Sequence, residues 1–107
     1  MLIYTEGGYM SVAIMRRDRE PFAAGDLLGG SGEEKKRAVE SYISYCGRYD
    51  YRGASVIHHV ELSLFPNWSG KDQERSVELR GDRLTLEAPP LLIKGIEQRA
   101  RLVWERI

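Results

Sequence analysis

Two adjacent histidines, His58 and His59, have the most evident capacity for acid–base chemistry in this chain of 107 residues. They lie in a run rich in branched aliphatic residues, which predicts a β-strand over residues 55–65. Because successive side chains of a strand point to opposite faces, the two imidazoles cannot bind one metal ion together. His58 shares its face with Val56 and Val60, so we expect it to point inward. It is then either a core histidine satisfied by a hydrogen bond or a polar group on a cavity wall that contacts ligand or transfers protons.

Neither a metal site nor a cofactor-binding loop is indicated by the other polar residues. His59 and Glu61 share the opposite face of the strand, but two ligands from one strand are too few for a metal site. The glycine-rich stretch 25–32 precedes a predicted helix but lacks a Gly-Lys-Ser/Thr ending. Glu33 and Glu34 would also repel a phosphate at that helix N-terminus. We therefore expect no metal and no cofactor.

Arg75 is the second polar residue expected to point inward, because it alternates with Val77 and Leu79 along a predicted strand. A buried guanidinium is costly unless it is paired. Arg75 could bind a carboxylate or backbone carbonyls as a structural clasp, stacked on Trp104, or it could bind an anionic group of a ligand.

Aromatic and thioether side chains form a further candidate set of ligand contacts, since such residues commonly line ligand cavities. Each of them could equally fill the core. Trp68 follows Pro66 and Asn67 and is expected to cover one end of the fold. The set comprises Tyr4, Tyr9, Met10, Met15, Trp68 and Trp104.

The elements that must position these residues are mainly β-strands. Alternating apolar and polar residues between Gly, Asn and Asp turns predict an antiparallel meander that forms a barrel or a sandwich. A barrel of this size can be filled by side chains or can hold one small ligand. The predicted strands cover residues 1–5, 9–15, 48–52, 55–65, 73–80, 83–88 and 98–106.

One helix is predicted over about residues 32–46. Ser31 and Glu34 have the spacing of a capping box at its start. Apolar residues at helical spacing then continue to Cys46, which we interpret as a buried structural thiol, and Gly47 is a plausible stop. That apolar stripe consists of Ala38, Val39, Tyr42, Ile43 and Cys46.

Composition bounds the class of protein. The length predicts one domain over residues 1–107, and 42% hydrophobic with 30% charged residues is ordinary for a globular protein. Sixteen Lys and Arg balance sixteen Asp and Glu, which argues against nucleic-acid binding and a polybasic membrane anchor. No apolar run is long enough to span a bilayer, and no signal sequence is evident at Met1. The single cysteine, Cys46, fits a cytoplasmic location.

Several segments together resemble the bacterial and fungal lipocalin-like domain family. The His58–Trp68 segment is the most specific of them, and the resemblance extends in order over essentially the whole chain. It implies a calycin-type β-barrel with a helix packed against it, but no agreed chemistry. The other segments are Leu2–Val12, Phe22–Asp26, Arg75 and Ala100–Trp104.

One departure from that family concerns the start of the chain. Members usually carry one more strand before the Leu-Ile-Tyr-Thr motif, whereas this chain begins inside the motif. A barrel that lacks a strand leaves unpaired backbone groups at its seam. The gap could be closed by a partner chain, the barrel could be smaller, or the sequence could be shortened. We expect a homodimer in which β-edges or barrel faces meet.

The leading hypothesis is therefore a lipocalin-like barrel that binds a small, mostly apolar molecule. It requires Val56, Val77, Leu84 and Leu102 to meet around one apolar centre. A second hypothesis is a cofactor-free isomerase or cyclase that uses a cavity histidine and arginine. A third is a homo-oligomeric interaction module completed by another chain. The candidate ligand-binding residues are His58, Arg75, Trp104, Tyr9, Met10 and Trp68.

Overall fold

The computed structural model describes all 107 residues and shows a nearly closed antiparallel barrel with one helix. The strands are β1 (Leu2–Tyr4), β2 (Tyr9–Met15), β3 (Tyr42–Tyr51), β4 (Ser55–Ser63), β5 (Asp72–Arg80), β6 (Arg83–Glu87), β7 (Leu91–Ile93), β8 (Ile96–Gln98) and β9 (Arg101–Glu105). Seven of them form one sheet in the order β1-β2-β3-β4-β5-β6-β9, and β7 pairs only with β8. The predicted mainly β meander is thus confirmed.

Tight turns connect the strands where glycine was expected to allow them. Gly8 has a φ of 91° and closes the β1–β2 hairpin, and Gly81 has a φ of 58° and closes the β5–β6 hairpin. Both values lie in the left-handed region that residues with a Cβ rarely adopt. The two predicted hairpins are confirmed.

The helix is shorter than predicted. α1 spans Gly32–Glu40, with the capping box between Ser31 and Glu34 present, and none of its residues is buried. Residues 42–46, which were predicted to continue the helix, instead begin β3 and pair with β2. The reason is that aromatic and β-branched side chains such as Tyr42 and Ile43 fit a pleated sheet, where the β2 backbone supplies their hydrogen-bond partners. Cys46 consequently lies on a strand.

The C-terminal region also differs from the prediction of a single strand over 98–106. The β7–β8 hairpin turns at Lys94 and Gly95, which have φ values of 50° and 78°, and β9 follows as a separate strand. Strands of three residues have too few alternating positions to be recognised by periodicity, and Pro89 and Pro90 obscure the start of this hairpin.

The core lies between β2, β3 and β4. Met10, Val12, Tyr45 and Val60 are buried together, and partly buried aromatic residues pack around them. Of the four residues expected to share one apolar centre, Val56, Val77 and Leu84 line a common cavity. Leu102, on the edge strand β9, is 39% exposed and does not line it.

A β-bulge at Cys46 and Gly47 brings β3 unusually close to β4. A Cβ on Gly47 would overlap the backbone carbonyl oxygen of His59. Gly47 was predicted to stop a helix, whereas its role here is to permit this close approach between two strands.

We expect Gly47→Ala to lower the free energy of unfolding by about 2–3 kcal/mol, because the β4 backbone has to shift. Urea denaturation followed by circular dichroism measures the change. Gly25→Ala is the control, since open space surrounds a Cβ at that position. Equal stabilities of the two variants would contradict this account of Gly47.

The strands at the two ends of the sheet, β1 and β9, are not paired with one another. We call the gap between these two strands the seam. β1 is held to the barrel through β2, and the Met1 carbonyl oxygen accepts a hydrogen bond from the Ala13 N–H at 2.9 Å. No helix in the structure has the length and apolar character needed to cross a membrane.

Candidate functional site

An apolar cavity of about 570 Å³ opens at the seam. This volume lies within the range of about 300–1,000 Å³ that is usual for small-molecule sites. Twelve of its fifteen lining residues are hydrophobic. The charged ones are Asp82 in the β5–β6 turn and Glu105 and Arg106 at the end of β9. The hydrophobic lining consists of Met1, Leu2, Tyr4, Tyr49, Tyr51, Val56, Val77, Leu79, Leu84, Leu86, Trp104 and Ile107. Such a lining favours an uncharged, largely apolar ligand.

Aromatic side chains form one wall of this cavity. The rings of Tyr4 and Tyr49 pack edge to face, with their centroids 4.8 Å apart. The Tyr49 hydroxyl donates to the Thr5 carbonyl oxygen at 2.7 Å, so its polar end is already satisfied. Edge-to-face packing is the favoured geometry for aromatic pairs, and it holds the Tyr4 ring in place.

Behind Tyr4 lies a buried chain of hydrogen bonds centred on His58. The His58 side chain is 1% exposed. Its Nε2 is 2.6 Å from the Tyr4 hydroxyl, and its Nδ1 is 2.7 Å from the Tyr45 hydroxyl. Burial, with a further contribution from the positive charge of Arg75, lowers the pKa of His58 to about 4. Burial likewise raises the pKa of both tyrosines, so at neutral pH all three side chains are uncharged.

This arrangement leaves Tyr4 with an adaptable hydroxyl. A neutral imidazole donates from one nitrogen and accepts at the other. If Nε2 donates to Tyr4, the Tyr4 hydroxyl proton is free for another acceptor; if Nε2 accepts, the Tyr4 oxygen can accept from another donor. Of Tyr4, His58 and Tyr45, only Tyr4 lines the cavity. Tyr4 therefore connects the cavity wall to His58.

Arg75 points inward as predicted but does not line the cavity. Its guanidinium donates to the Glu74 carbonyl oxygen at 2.9 Å and to Gln73 Oε1 at 3.0 Å. No carboxylate forms an ion pair with it. Its charge opposes the rise in the pKa of Tyr4 and of Tyr45, and it disfavours protonation of His58. Its position thus supports the clasp to backbone oxygen rather than direct contact with a ligand in this cavity.

Among the other residues predicted to contact ligand, Tyr4 and Trp104 line the cavity. The indole Nε1 of Trp104 is buried without an acceptor, which is an unfavourable state for a polar group. Met10 is 3% exposed inside the core, and Trp68 packs edge to face against Tyr45 and Phe65. Tyr9 lies on the outer surface, where the Arg48 guanidinium covers its ring at 5.3 Å. These last three residues do not line the cavity.

The sequence pattern did not identify several cavity residues, most notably Tyr49 and Tyr51 of β3. Tyr45, Tyr49 and Tyr51 lie at even spacing along β3, a period-two signal for one face of a strand. That signal was obscured because the first part of the strand was assigned to a helix. Leu2 and Ile107 could not have been found by periodicity, since they reach the cavity only through the meeting of distant chain ends.

His59 lies on the outer face, as predicted, and forms a separate polar cluster. Its Nε2 is 2.7 Å from Asp50 Oδ2, and its Nδ1 is 2.7 Å from Asp72 Oδ1. Hydrogen bonds to these two carboxylates raise the pKa of His59. Both ring nitrogens are therefore engaged within the protein. No group of three or more His, Cys, Asp or Glu side chains in the structure is arranged so that it could hold a metal ion.

A second depression lies between α1 and the loop after β2, and it encloses about 290 Å³. Only two of its eleven lining residues are hydrophobic, and charged residues of both signs surround it. The Arg19 guanidinium donates to the Ala38 carbonyl oxygen at 3.1 Å and to the Ser41 hydroxyl at 2.9 Å, joining the loop to the helix end. These contacts indicate that Arg19 has a structural role, which is to hold the loop against the end of α1.

A nearly closed antiparallel barrel around an apolar cavity is the architecture of the lipocalin class of proteins. The model of the lipocalin-like domain family matches residues 1–107, and the chain belongs to that family. A similar protein is the 4'-hydroxy-3'-methoxypropiophenone carrier protein of Aspergillus oryzae. It is 38% identical in sequence, and the alignment covers 92% of this chain and 96% of that protein.

Proposed function

We propose that this protein binds and carries a small aromatic molecule in the cavity at the seam. The observation that carries the proposal is a cavity of about 570 Å³ with an almost entirely hydrophobic lining and the Tyr4–His58–Tyr45 chain behind one wall. The similarity to a protein named as a carrier of an aryl ketone supports the same class of ligand. An aromatic ring would pack against Tyr49 and Trp104.

The Tyr4 hydroxyl is the polar contact that we assign to such a ligand. A ligand carbonyl would accept the hydroxyl proton when His58 Nε2 donates to Tyr4. A ligand hydroxyl would donate to the Tyr4 oxygen when Tyr4 donates to His58. An otherwise apolar site with one adaptable polar group suits a molecule that carries a ketone or a phenol on an aromatic ring.

The geometry favours binding over the isomerase or cyclase alternative. General acid–base catalysis requires a titratable group within hydrogen-bond reach of the substrate. His58 does not line the cavity, and both of its nitrogens are occupied by tyrosine hydroxyls. With a pKa of about 4, its protonated form is also scarce at neutral pH.

The two tryptophans supply a direct test of the proposal. Titration with 4'-hydroxy-3'-methoxypropiophenone should change the fluorescence of Trp104, which lines the cavity, and leave that of Trp68 nearly unaffected. We therefore expect saturable quenching in Trp68→Phe but none in Trp104→Phe. Calorimetry should show binding in the micromolar range, with weaker binding of a straight-chain ketone of equal carbon number.

Tyr4→Phe should weaken binding of the aryl ketone about 3- to 10-fold, because one hydrogen bond to the ligand is lost. It should have little effect on an aromatic hydrocarbon of similar size, which needs no polar contact. Absence of saturable binding to the unmodified protein would overturn the proposed function. Equal loss of affinity for both compounds would overturn the role assigned to Tyr4.

A further inference from the structure

The outer edge of β9 carries backbone groups that have no partner within the chain. The Ala88 N–H donates to the Ala100 carbonyl oxygen at 2.9 Å, and the Arg106 N–H donates to that of Asp82 at 2.8 Å. Antiparallel hydrogen bonds occur at alternate residues, so the even-numbered residues of β9 face β6 with their backbone groups. The N–H and C=O groups of Arg101, Val103 and Glu105 therefore point toward the free edge.

The side chains of these same three residues lie on the outer face of the barrel. Their neighbour Trp104 points into the cavity, and side chains alternate along a strand. Val103 is 56% exposed. The order Arg101, Val103, Glu105 has opposite charges placed symmetrically about an apolar centre, so an antiparallel copy of the strand would be complementary to it.

We propose that β9 pairs antiparallel with β9 of a second copy of this chain, about a twofold axis at Val103. Val103 would face Val103 of the second copy, and Arg101 would face its Glu105. This register joins the backbone groups that are free on both strands, and each facing pair exchanges two N–H···O bonds. The two barrels would then share one continuous sheet.

The charges on the neighbouring strand favour the same register. Arg83 Nη2 is 3.1 Å from Glu105 Oε1 across β6 and β9, and Glu87 is the register partner of Arg101. Across the proposed interface, four facing side chains would lie in one line: Arg83 and Glu105 of one copy, followed by Arg101 and Glu87 of the second copy. Opposite charges alternate along this line, whereas like charges facing one another would be destabilising.

The free edge of β9 also lacks several of the features by which proteins prevent such pairing. It contains no proline and no bulge, and its inward side chains, Leu102 and Trp104, are uncharged. The edge of β1 offers a poorer partner for β9, because it has three residues and none of them is charged. Charge complementarity thus identifies the second copy's β9 as the occupant.

Val103→Pro provides the first arm of the test. Proline removes an N–H that points to the free edge, so the ladder between β6 and β9 keeps all its hydrogen bonds. Sedimentation velocity should show the unmodified protein at twice the 12.2 kDa of one chain. The variant should dissociate at least about tenfold more readily, and Val103→Thr, which keeps the N–H, should remain dimeric.

Charge exchange provides an arm that does not depend on proline. Arg101→Glu and Glu105→Arg should each be monomeric, because like charges face one another in both homodimers. Mixing the two variants should restore a dimer, since each residue then faces an opposite charge. A protein that is monomeric at millimolar concentration would overturn the proposal. So would a dimer that survives all three substitutions, because its interface would lie on another surface.

Discussion

Acidification from pH 7 to pH 4 is expected to cost the barrel about 3 kcal/mol of folding free energy through His58 alone. The folded-state pKa is about 4 and the ordinary value is 6.5, so the unfolded chain binds the proton first. The stabilisation that comes from keeping His58 neutral in the folded protein is fully present above pH 6.5. It is lost as the pH falls toward 4. A loss of this size is a large part of the stability of a typical domain.

His58→Leu should remove this part of the pH dependence. Urea denaturation at pH 7, 5.5 and 4 gives the free energy of unfolding of the unmodified protein and of the variant. The difference between these two free energies should narrow by about 3 kcal/mol from pH 7 to pH 4, because only the unmodified protein has to accommodate the buried proton. Parallel pH profiles for the two proteins would contradict the assignment of His58 as a buried neutral group.

At pH 7 the same substitution should lower the free energy of unfolding by about 2–4 kcal/mol, because two tyrosine hydroxyls lose their partner. The combination Tyr4→Phe, His58→Leu and Tyr45→Phe should recover part of that loss, since no polar atom is then left unsatisfied. His59→Gln is the matched control. The His59 imidazole has a raised pKa, so its contribution to the free energy of unfolding is present below pH 6.5 and falls at higher pH. This pH dependence is opposite to that of His58.

Val77→Trp is expected to reduce the affinity for an aryl ketone by at least about tenfold while the barrel stays folded. Val77 lies on the cavity wall in β5, and the larger side chain would occupy the space that we assign to the ligand. Filling an existing cavity adds apolar contacts without forcing the core apart, so the free energy of unfolding should not fall. Calorimetric titration and urea denaturation measure the two effects.

Glu78→Trp is the matched control for this prediction. Glu78 is the next residue of β5, and it points to the opposite, exposed face. We expect the Glu78→Trp variant to bind the ketone with the same affinity as the unmodified protein. If both variants bind equally well, the ligand lies elsewhere; if both bind poorly, the effect comes from damage to β5 rather than from occupation of the cavity.

The fold was predictable where local patterns and tertiary structure agree. Alternation around Val77 and around Leu84, with a Gly81 turn between them, predicted the β5–β6 hairpin, and its facing pairs follow that register. The pattern failed at residues 42–46, where apolar residues at helical spacing also suit a strand. Pairing with β2 decides between the two, and periodicity carries no information about a partner strand.

The candidate site was only partly predictable. Burial of His58 and the inward direction of Arg75 followed from strand alternation, because each lies among apolar residues on one face. The cavity itself could not be predicted, because its walls combine Leu2 near one chain end with Trp104 and Ile107 near the other. Their proximity depends on how far the sheet curls, which no local pattern encodes.

The seam also bears on how a bound molecule would leave. Elements with few residues and few buried contacts open at far lower free energy than the whole domain. β1 has three residues and forms one boundary of the cavity. Transient detachment of β1 from β2 would release a bound ligand while the rest of the barrel stays intact. Residence time would then depend on fraying at Met1–Tyr4, because this fraying would also withdraw the Tyr4 hydroxyl that we assign as the polar contact of the ligand.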